Sequence, residues 1–338
     1  VIFKVNRGGV EKNKGLIEIL DNLKIEKLGV QQETDDLTGM ARNIGDYIKG
    51  FAEIFERTKP DLIFVEGDRG ESLAAAMAGA HMNIPIVHHG GGDLSGSIDD
   101  RTRNAITSFS DYHLAGNRKS YNRLRRFKGS FKNIFLVGEP GLDDIYDGSY
   151  TPREEIIQRY GIQPIESLIL LLQHPNTEEF LTVKNQIVET LEAISALNLQ
   201  TVAVYSNSDA GGSIINHMID EYSRKNNKIK VYPNIEREDF LGLMNVAAVM
   251  VGNSSSGIIE LPSFSKPFVL VGTRQKRRLE AGNVIRVNYN KDEIMNGIRK
   301  AIYDEKFKRK LLKIKNPYAF GRSSDIIVKK IIHILENN

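Results

Sequence analysis

Asp61-Leu62-Ile63-Phe64-Val65-Glu66-Gly67-Asp68-Arg69-Gly70-Glu71-Ser72 decides the fold class. A short apolar run that does not alternate reads as a strand buried on both faces. The Gly-Asp turn and the alanine-rich run 72–81 after it read as the turn and helix of a βα unit. The same succession repeats outward. The segment 36–58 reads as one helix before this strand. After it come a strand at 84–88, a Gly-rich turn, a helix over 99–109, a strand at 111–115, a basic helix at 119–127 and a strand at 133–137. After Gly138 the chain is polar and turn-rich through Asp144 to Pro152, and this stretch reads as a link between domains. Beyond it the alternation restarts: strands at 168–172, 201–205, 229–232, 248–252, 268–271 and 284–287, and helices over 178–197, 213–222 and 237–246. The stretch 257–263 continues the pattern as a helix start, and two further helices follow, the last at 323–335 after a break at Asn316-Pro317. The expectation is α/β, with two doubly wound Rossmann-like domains facing a cleft: residues 1–148, residues 149–322, and a final helix 323–338.

Composition narrows the class. The 338 residues are 41% hydrophobic and 26% charged, an ordinary globular mixture. The absence of cysteine excludes disulfides, thiolate metal sites and thiol nucleophiles, and suits a reducing cytoplasm. Forty-six basic against 43 acidic residues, a net +3, is too balanced for a dedicated nucleic-acid binder. No apolar run reaches the roughly 18 residues of a membrane span.

In a doubly wound fold, polar residues in turns just after strands are where chemistry gathers. Gly252-Asn253-Ser254-Ser255-Ser256-Gly257 offers small residues, hydroxyls and free amides suited to phosphate oxygens, or is simply a serine-capped helix start. Glu260, about one turn on, is placed to accept from ribose hydroxyls. Arg274, in the basic run 274–278, suits a diphosphate. Asp68 is either an N-cap or a carboxylate facing the cleft, with Arg69 available for an anion. The stretch His88-His89-Gly90-Gly91-Gly92-Asp93 does not read as a metal site, because adjacent strand residues point to opposite faces. Asp99-Asp100 ahead of Arg103 is a helix cap with an ion pair, or a carboxylate pair for acid/base work. His174, at the first strand end of the second domain, suits a phosphate contact or proton transfer to a leaving group. Asn207 and Asp209 lie at the next strand end.

Taken in order, Gly67-Asp68-Arg69, the stretch 88–107, Gln173-His174-Pro175, 207–211, 252–257 with Glu260, and Gly272-Thr273-Arg274-Gln275 resemble the hydrolysing UDP-N-acetylglucosamine 2-epimerases of sialic acid biosynthesis. The resemblance runs from about residue 61 to 324. It implies the GT-B architecture, a UDP-sugar substrate with UDP as product, no metal, no cofactor, no nucleic acid or membrane partner, and a homo-oligomer, dimer or tetramer. It implies elimination of UDP across C1–C2 to a 2-acetamidoglucal, followed by hydration to the 2-epimer. Asp68 and Asp100 would be the acid/base carboxylates, with Asp99 beside them. Arg69, Arg103 and His174 would contact sugar or diphosphate, Ser254, Ser255, Ser256, Gly257 and Arg274 the diphosphate, and Glu260 the ribose.

Three departures accompany the resemblance. Gly90 stands where many members carry Glu or His, leaving His89 or Asp93 as a replacement. Asn104 stands where His is frequent. The run 13–30 aligns best with the family's second strand–helix region, so the opening strand and its glycine-arginine phosphate loop have no counterpart here, unless Val1–Gly9 is a diverged form of that loop. UDP-N-acetylglucosamine is the leading substrate on this reading. The alternatives are a UDP- or GDP-linked 2,4-diacetamido-2,4,6-trideoxyhexose, a non-hydrolysing epimerase, a glycosyltransferase on the same fold, and an inactive nucleotide-sugar binder.

Overall fold

The structure is a computed structural model describing residues 2–5, 25–28, 35–128 and 133–337. Residues 1 and 6–9 of the candidate opening loop, and most of the run 13–30, lie outside the described residues. The chain forms two compact units. The first comprises residues 1–93, 98–138 and 324–338, the second residues 94–97 and 139–323.

In the first unit β1 (Ile2–Val5) and β2 (Ile25–Leu28) pair in parallel, Ile2 opposite Ile25. Helix α1 (Leu37–Thr58) starts where Asp36 Oδ1 accepts the Gly39 amide at 2.7 Å. The βα alternation follows: β3 (Ile63–Glu66), α2 (Gly70–His81), β4 (Ile86–His89), α3 (Asp99–Phe109), β5 (Tyr112–Ala115), α4 (Arg118–Lys128) and β6 (Ile134–Leu136). The four strands β3–β6 are parallel and lie in chain order. Ile63, Val65 and Ile86 pack with Phe51 and Phe55 of α1, the alanines of α2 and Ile106 of α3. Val87, Leu114 and Val137 instead receive Ile327 and Ile334 of the helix Ser323–Glu336.

The second unit begins with α5 (Asp143–Tyr146) and α6 (Arg153–Tyr160), then runs β7 (Ile169–Leu172), α7 (Val183–Leu197), β8 (Thr201–Val204), α8 (Gly212–Lys225), β9 (Ile229–Tyr232), α9 (Arg237–Val246), β10 (Val249–Gly252), α10 (Ser256–Ile259), β11 (Phe268–Val271), β12 (Val284–Val287), α11 (Lys291–Tyr303) and α12 (Glu305–Leu311), the helix Ser323–Glu336 being α13. Its six strands are all parallel, in the order β12-β11-β10-β7-β8-β9. Continuous apolar strands are needed because both faces are covered. Ile169, Leu171, Val249 and Val251 pack under α7, α8 and α11. Leu170, Leu172, Met250 and Leu270 pack under α6 and α9. The chain winds one way from β7 and the other way from β10, so a topological switch point opens between their carboxyl ends.

Four expectations need correction. The stretch 139–152 is not a link but part of the second unit, so the boundary does not lie at 148. The division falls after Gly138, and this polar stretch anchors the second unit: Asp143 accepts the Ser323 amide at 2.9 Å, Asp144 accepts Arg237 Nε at 2.7 Å, and Thr151 donates to Asp239 at 2.5 Å. The helix expected over 178–197 is broken into a 3-10 turn, Thr177–Thr182, and α7, because Glu179 leaves helical geometry at φ −116°, ψ 25°. Its carboxylate accepts from Thr273 Oγ1 and from Gln186 Nε2. The helix start at 257–263 is a single turn, α10, followed by the 3-10 turn Leu261–Phe264, where Pro262 cannot donate to a continuing helix. Three helices, not two, follow β12, because Asp304 caps a separate α12 by accepting the Phe307 amide at 3.0 Å. Among the described residues no helix is long and apolar enough to cross a membrane.

Candidate active site

The first unit gathers its charged residues at the carboxyl ends of β3 and β4. Asp68 follows β3. Asp99 and Asp100 open α3, where their charge suits the helix N-terminus. Arg103, one turn on, is the largest fully buried side chain among the described residues, 1% exposed. A buried guanidinium requires partners. Arg103 donates to Asp100 Oδ1 at 2.9 Å, to the Asp93 carbonyl at 3.1 Å, and to Asp68 Oδ2 in a close ion pair. One arginine therefore holds the two candidate acid/base carboxylates together. Three of the Arg103 donor contacts are thus made within the protein. Asp99 is half-buried at the first position of the same helix.

His88 supplies a second anchor. The ring is wholly buried. Its Nε2 lies 2.8 Å from the Gly67 carbonyl and its Nδ1 3.1 Å from Thr107 Oγ1. A carbonyl only accepts, so Nε2 carries the proton and Nδ1 accepts from the Thr107 hydroxyl. Burial pushes the His88 pKa down from 6.5 to about 4, against the raising effect of the Gly67 carbonyl, so the ring is neutral.

The neighbouring candidates are committed to the protein. His89 is 1% exposed, and its Nε2 donates to the Gly138 carbonyl at 2.9 Å. Asp93 is 9% exposed and accepts from Ser120 Oγ at 3.3 Å, pressed down because Gly92 lies flush on α4. Neither is presented as an open replacement for the group missing at Gly90. A Cβ at Gly90 would rest against the Gly67 backbone at 3.5 Å, an ordinary van der Waals contact. Arg69, half-buried, pairs through Nε with Glu71 at 3.2 Å.

In the second unit, the ends of four neighbouring strands, β11-β10-β7-β8, bring together Arg274, the serine loop, His174 and Asn207. Asn253 spans the switch point. Its Oδ1 accepts the His174 amide at 2.7 Å and its Nδ2 donates to the His174 carbonyl at 2.8 Å. Gly252 before it cannot be larger, since a Cβ would stand 2.0 Å from the Leu172 carbonyl oxygen. The Asn207 amide donates to His174 Nδ1 at 3.1 Å, which places the proton of a neutral ring on Nε2, a donor suited to an anion. Asn207 and Asp209 bond one another across their turn, Nδ2 to Oδ2 at 2.6 Å. Ser254 and Ser256 are buried with hydroxyls 2.8 Å apart, and Ser255 is half-buried. Because α10 has only four residues, individual amides and hydroxyls, not a helix dipole, are what this loop offers. Arg274 Nη1 reaches the Asn253 carbonyl at 3.5 Å, the long limit of a hydrogen bond.

Two second-unit candidates also make close contacts within the protein. Gly257 is buried, and a Cβ there would come within 2.7 Å of the Phe268 ring, so packing alone demands glycine. Glu260 is paired with Arg237 Nη1 at 2.7 Å, and Arg237 also holds Asp144 and the Gly141 carbonyl. Burial raises the Glu260 pKa, and the Arg237 guanidinium opposes that rise.

The chain matches the UDP-N-acetylglucosamine 2-epimerase family over residues 12–332. It belongs to that family. It is 40% identical over 288 residues to the UDP-N,N'-diacetylbacillosamine 2-epimerase (hydrolyzing) of Legionella pneumophila, covering 85% of this chain and 75% of that one. It is 32% identical over 268 residues to a UDP-N-acetylglucosamine 2-epimerase of Neisseria meningitidis, covering 79% of this chain and 70% of that one. The crystal structure of UDP-GlcNAc 2-epimerase from Neisseria meningitidis bound to UDP-GlcNAc superposes with a TM-score of 0.79 at 20% identity, over 94% of this chain and 88% of the other. That likeness shows the fold of the 2-epimerase family, two Rossmann-like α/β domains of GT-B type. Sequence reasoning had singled out the carboxylates and His174 as candidates. It missed His88, Thr107, Asn253 and Arg237, which act through other residues. Only the period-2 alternation, which turns His88 and His89 apart, hinted at any of them.

Proposed function

We propose that this member of the 2-epimerase family is a hydrolysing 2-epimerase of a UDP-linked 2,4-diacetamido-2,4,6-trideoxyhexose. This exchanges the leading sequence expectation, UDP-N-acetylglucosamine, for its alternative. The support is the higher identity to the Legionella diacetylbacillosamine enzyme than to the Neisseria one, 40% against 32%.

The observation that carries the chemistry is the Asp68–Arg103–Asp100 cluster. On this proposal one carboxylate takes the C2 proton while the C1–oxygen bond to the diphosphate breaks. The C–H electron pair becomes the C1=C2 double bond, and UDP leaves with the bonding pair. Water then adds, oxygen to C1 and a proton to C2 from the opposite face, with the second carboxylate as acid. Arg103 keeps both groups within reach without neutralising both charges. The His174 Nε2–H, the amides and hydroxyls of Ser254–Ser256 and the Arg274 guanidinium take up charge as the diphosphate departs. Glu260 accepts from the ribose with its remaining oxygen.

Proton NMR of each UDP-sugar turned over in deuterated water tests this. The expected result is free UDP and the free 2-epimer, deuterated at C2, formed faster from the diacetamido sugar. Faster release of N-acetylmannosamine from UDP-N-acetylglucosamine would return the substrate to the first expectation. A product still linked to UDP would rule out the hydrolysing reaction.

A further inference from the structure

Asp68 is fixed twice from the same helix. Arg103 and Thr107 stand one turn apart on α3 and so share a face. Arg103 grips the Asp68 carboxylate directly. Thr107 reaches the backbone just before it, through Thr107 Oγ1 to His88 Nδ1 at 3.1 Å and His88 Nε2 to the Gly67 carbonyl at 2.8 Å. The other side of Gly67 is held as well, its amide donating to the His89 carbonyl at 2.9 Å. Gly67 sits at φ +74°, and glycine is the residue with the most alternative conformations, so an unheld Gly67 would let the Asp68 turn swing. The relay is enclosed: His88 and Thr107 are 0% and 1% exposed. Gly91 backs onto their bond, where a Cβ would stand 3.1 Å from both His88 Nδ1 and Thr107 Oγ1.

We propose that His88 and Thr107 are positioning residues for the epimerase reaction, a buried relay that sets the Gly67 peptide and thereby the place of the Asp68 carboxylate. The inference rests on the reading of Asp68 as an acid/base group. Neither residue touches substrate. Each acts through Gly67: the Gly67 carbonyl fixes the His88 proton on Nε2, and the Thr107 hydroxyl donates to the Nδ1 that this leaves as an acceptor.

Thr107→Val removes the hydroxyl at nearly constant volume, and Thr107→Ser keeps it. For the valine variant kcat is expected to fall by about ten- to a hundredfold, the scale of a misplacement of about 1 Å. KM and UDP affinity should stay within about threefold of wild type, and Thr107→Ser should recover most of kcat. If the valine variant does not fold, Thr107→Cys, a weaker donor, should give an intermediate kcat. Nitrogen-15 NMR of the wild-type imidazole, which needs no turnover, should show the His88 proton on Nε2. Wild-type kcat in the valine variant, or in the cysteine variant where valine does not fold, would overturn the relay alone, as would a kcat loss that serine does not restore. A wild-type protein that turns over no nucleotide sugar would overturn the underlying reading and the relay with it.

Discussion

Replacing Arg103 by glutamine removes the charge on which the first unit's carboxylates converge. Three hydrogen bonds go: to Asp68, to Asp100 and to the Asp93 carbonyl. Glutamine can reach at most one of these groups. Charge-assisted bonds contribute about 1.5–3 kcal/mol each, and breaking a buried ion pair by removing one partner costs about 3–5 kcal/mol. The Asp68 and Asp100 side chains keep 23% and 13% exposure, so water recovers part of the loss. The expected cost is therefore about 3–4 kcal/mol. Urea unfolding followed by circular dichroism reads it, with Asp68→Asn and the double variant completing a cycle. With Arg103 gone, removing the Asp68 charge should cost less than in wild type, giving a coupling of at least about 1 kcal/mol. A cost for Arg103→Gln below about 1 kcal/mol, or additivity within about 0.5 kcal/mol, would refute the reasoning.

The other predictions concern His88, Gly257 and Glu260. Because the folded-state pKa of His88 is depressed to about 4 from 6.5, the folded protein binds fewer protons at this site than the unfolded chain between those values. Stability from this group is intact above pH 6.5 and falls by roughly 3 kcal/mol as pH drops to 4. Wild type should accordingly lose more between pH 7 and pH 4.5 than His88→Gln, and equal slopes in urea midpoints would contradict the assignment. Gly257→Ala forces a Cβ against Phe268 and should cost about 1–3 kcal/mol, part of it returned by adding Phe268→Leu. An unchanged melting temperature would free Gly257 to be a ligand contact. Glu260→Ala should weaken UDP binding in calorimetry, and unchanged affinity would remove the ribose assignment.

Elements that bury continuous apolar runs were readable because both faces of each sheet are covered. The strand Ile229–Tyr232 and the helix Arg237–Val246 fall where the pattern puts them. What escaped the pattern depends on contacts between distant residues. The break at Glu179 follows from its bonds to Thr273 and Gln186, 94 and 7 residues away. The polar stretch 139–152 looked like a link because its partners, Arg237, Asp239 and Ser323, lie far along the chain. At the site, the carboxylates were visible as residue types in turns after strands. For Arg103 the charge was visible in the sequence but its burial and its grip on Asp68 were not. Gly257 looked like room for a ligand because spacing does not show Phe268 beside it. The roles of His88 and Asn253 are bonds to backbone groups, which leave no mark in residue type.

The return of α13 to the first unit sets the order of events at synthesis. Ile327 and Ile334 cover Val87, Leu114 and Val137, and the chain reaches them only after the whole second unit has been made. At about 5–20 residues per second, the stretch from residue 138 to residue 324 takes about 10 to 40 s to emerge. During that interval β4, β5 and Val137 lack their apolar cover, while the second unit, apart from the four residues 94–97, is continuous in the chain and can close on its own. The half carrying Asp68, Asp100 and Arg103 starts first on the ribosome and finishes last, and through that delay its bare sheet face is a surface for chaperones to hold.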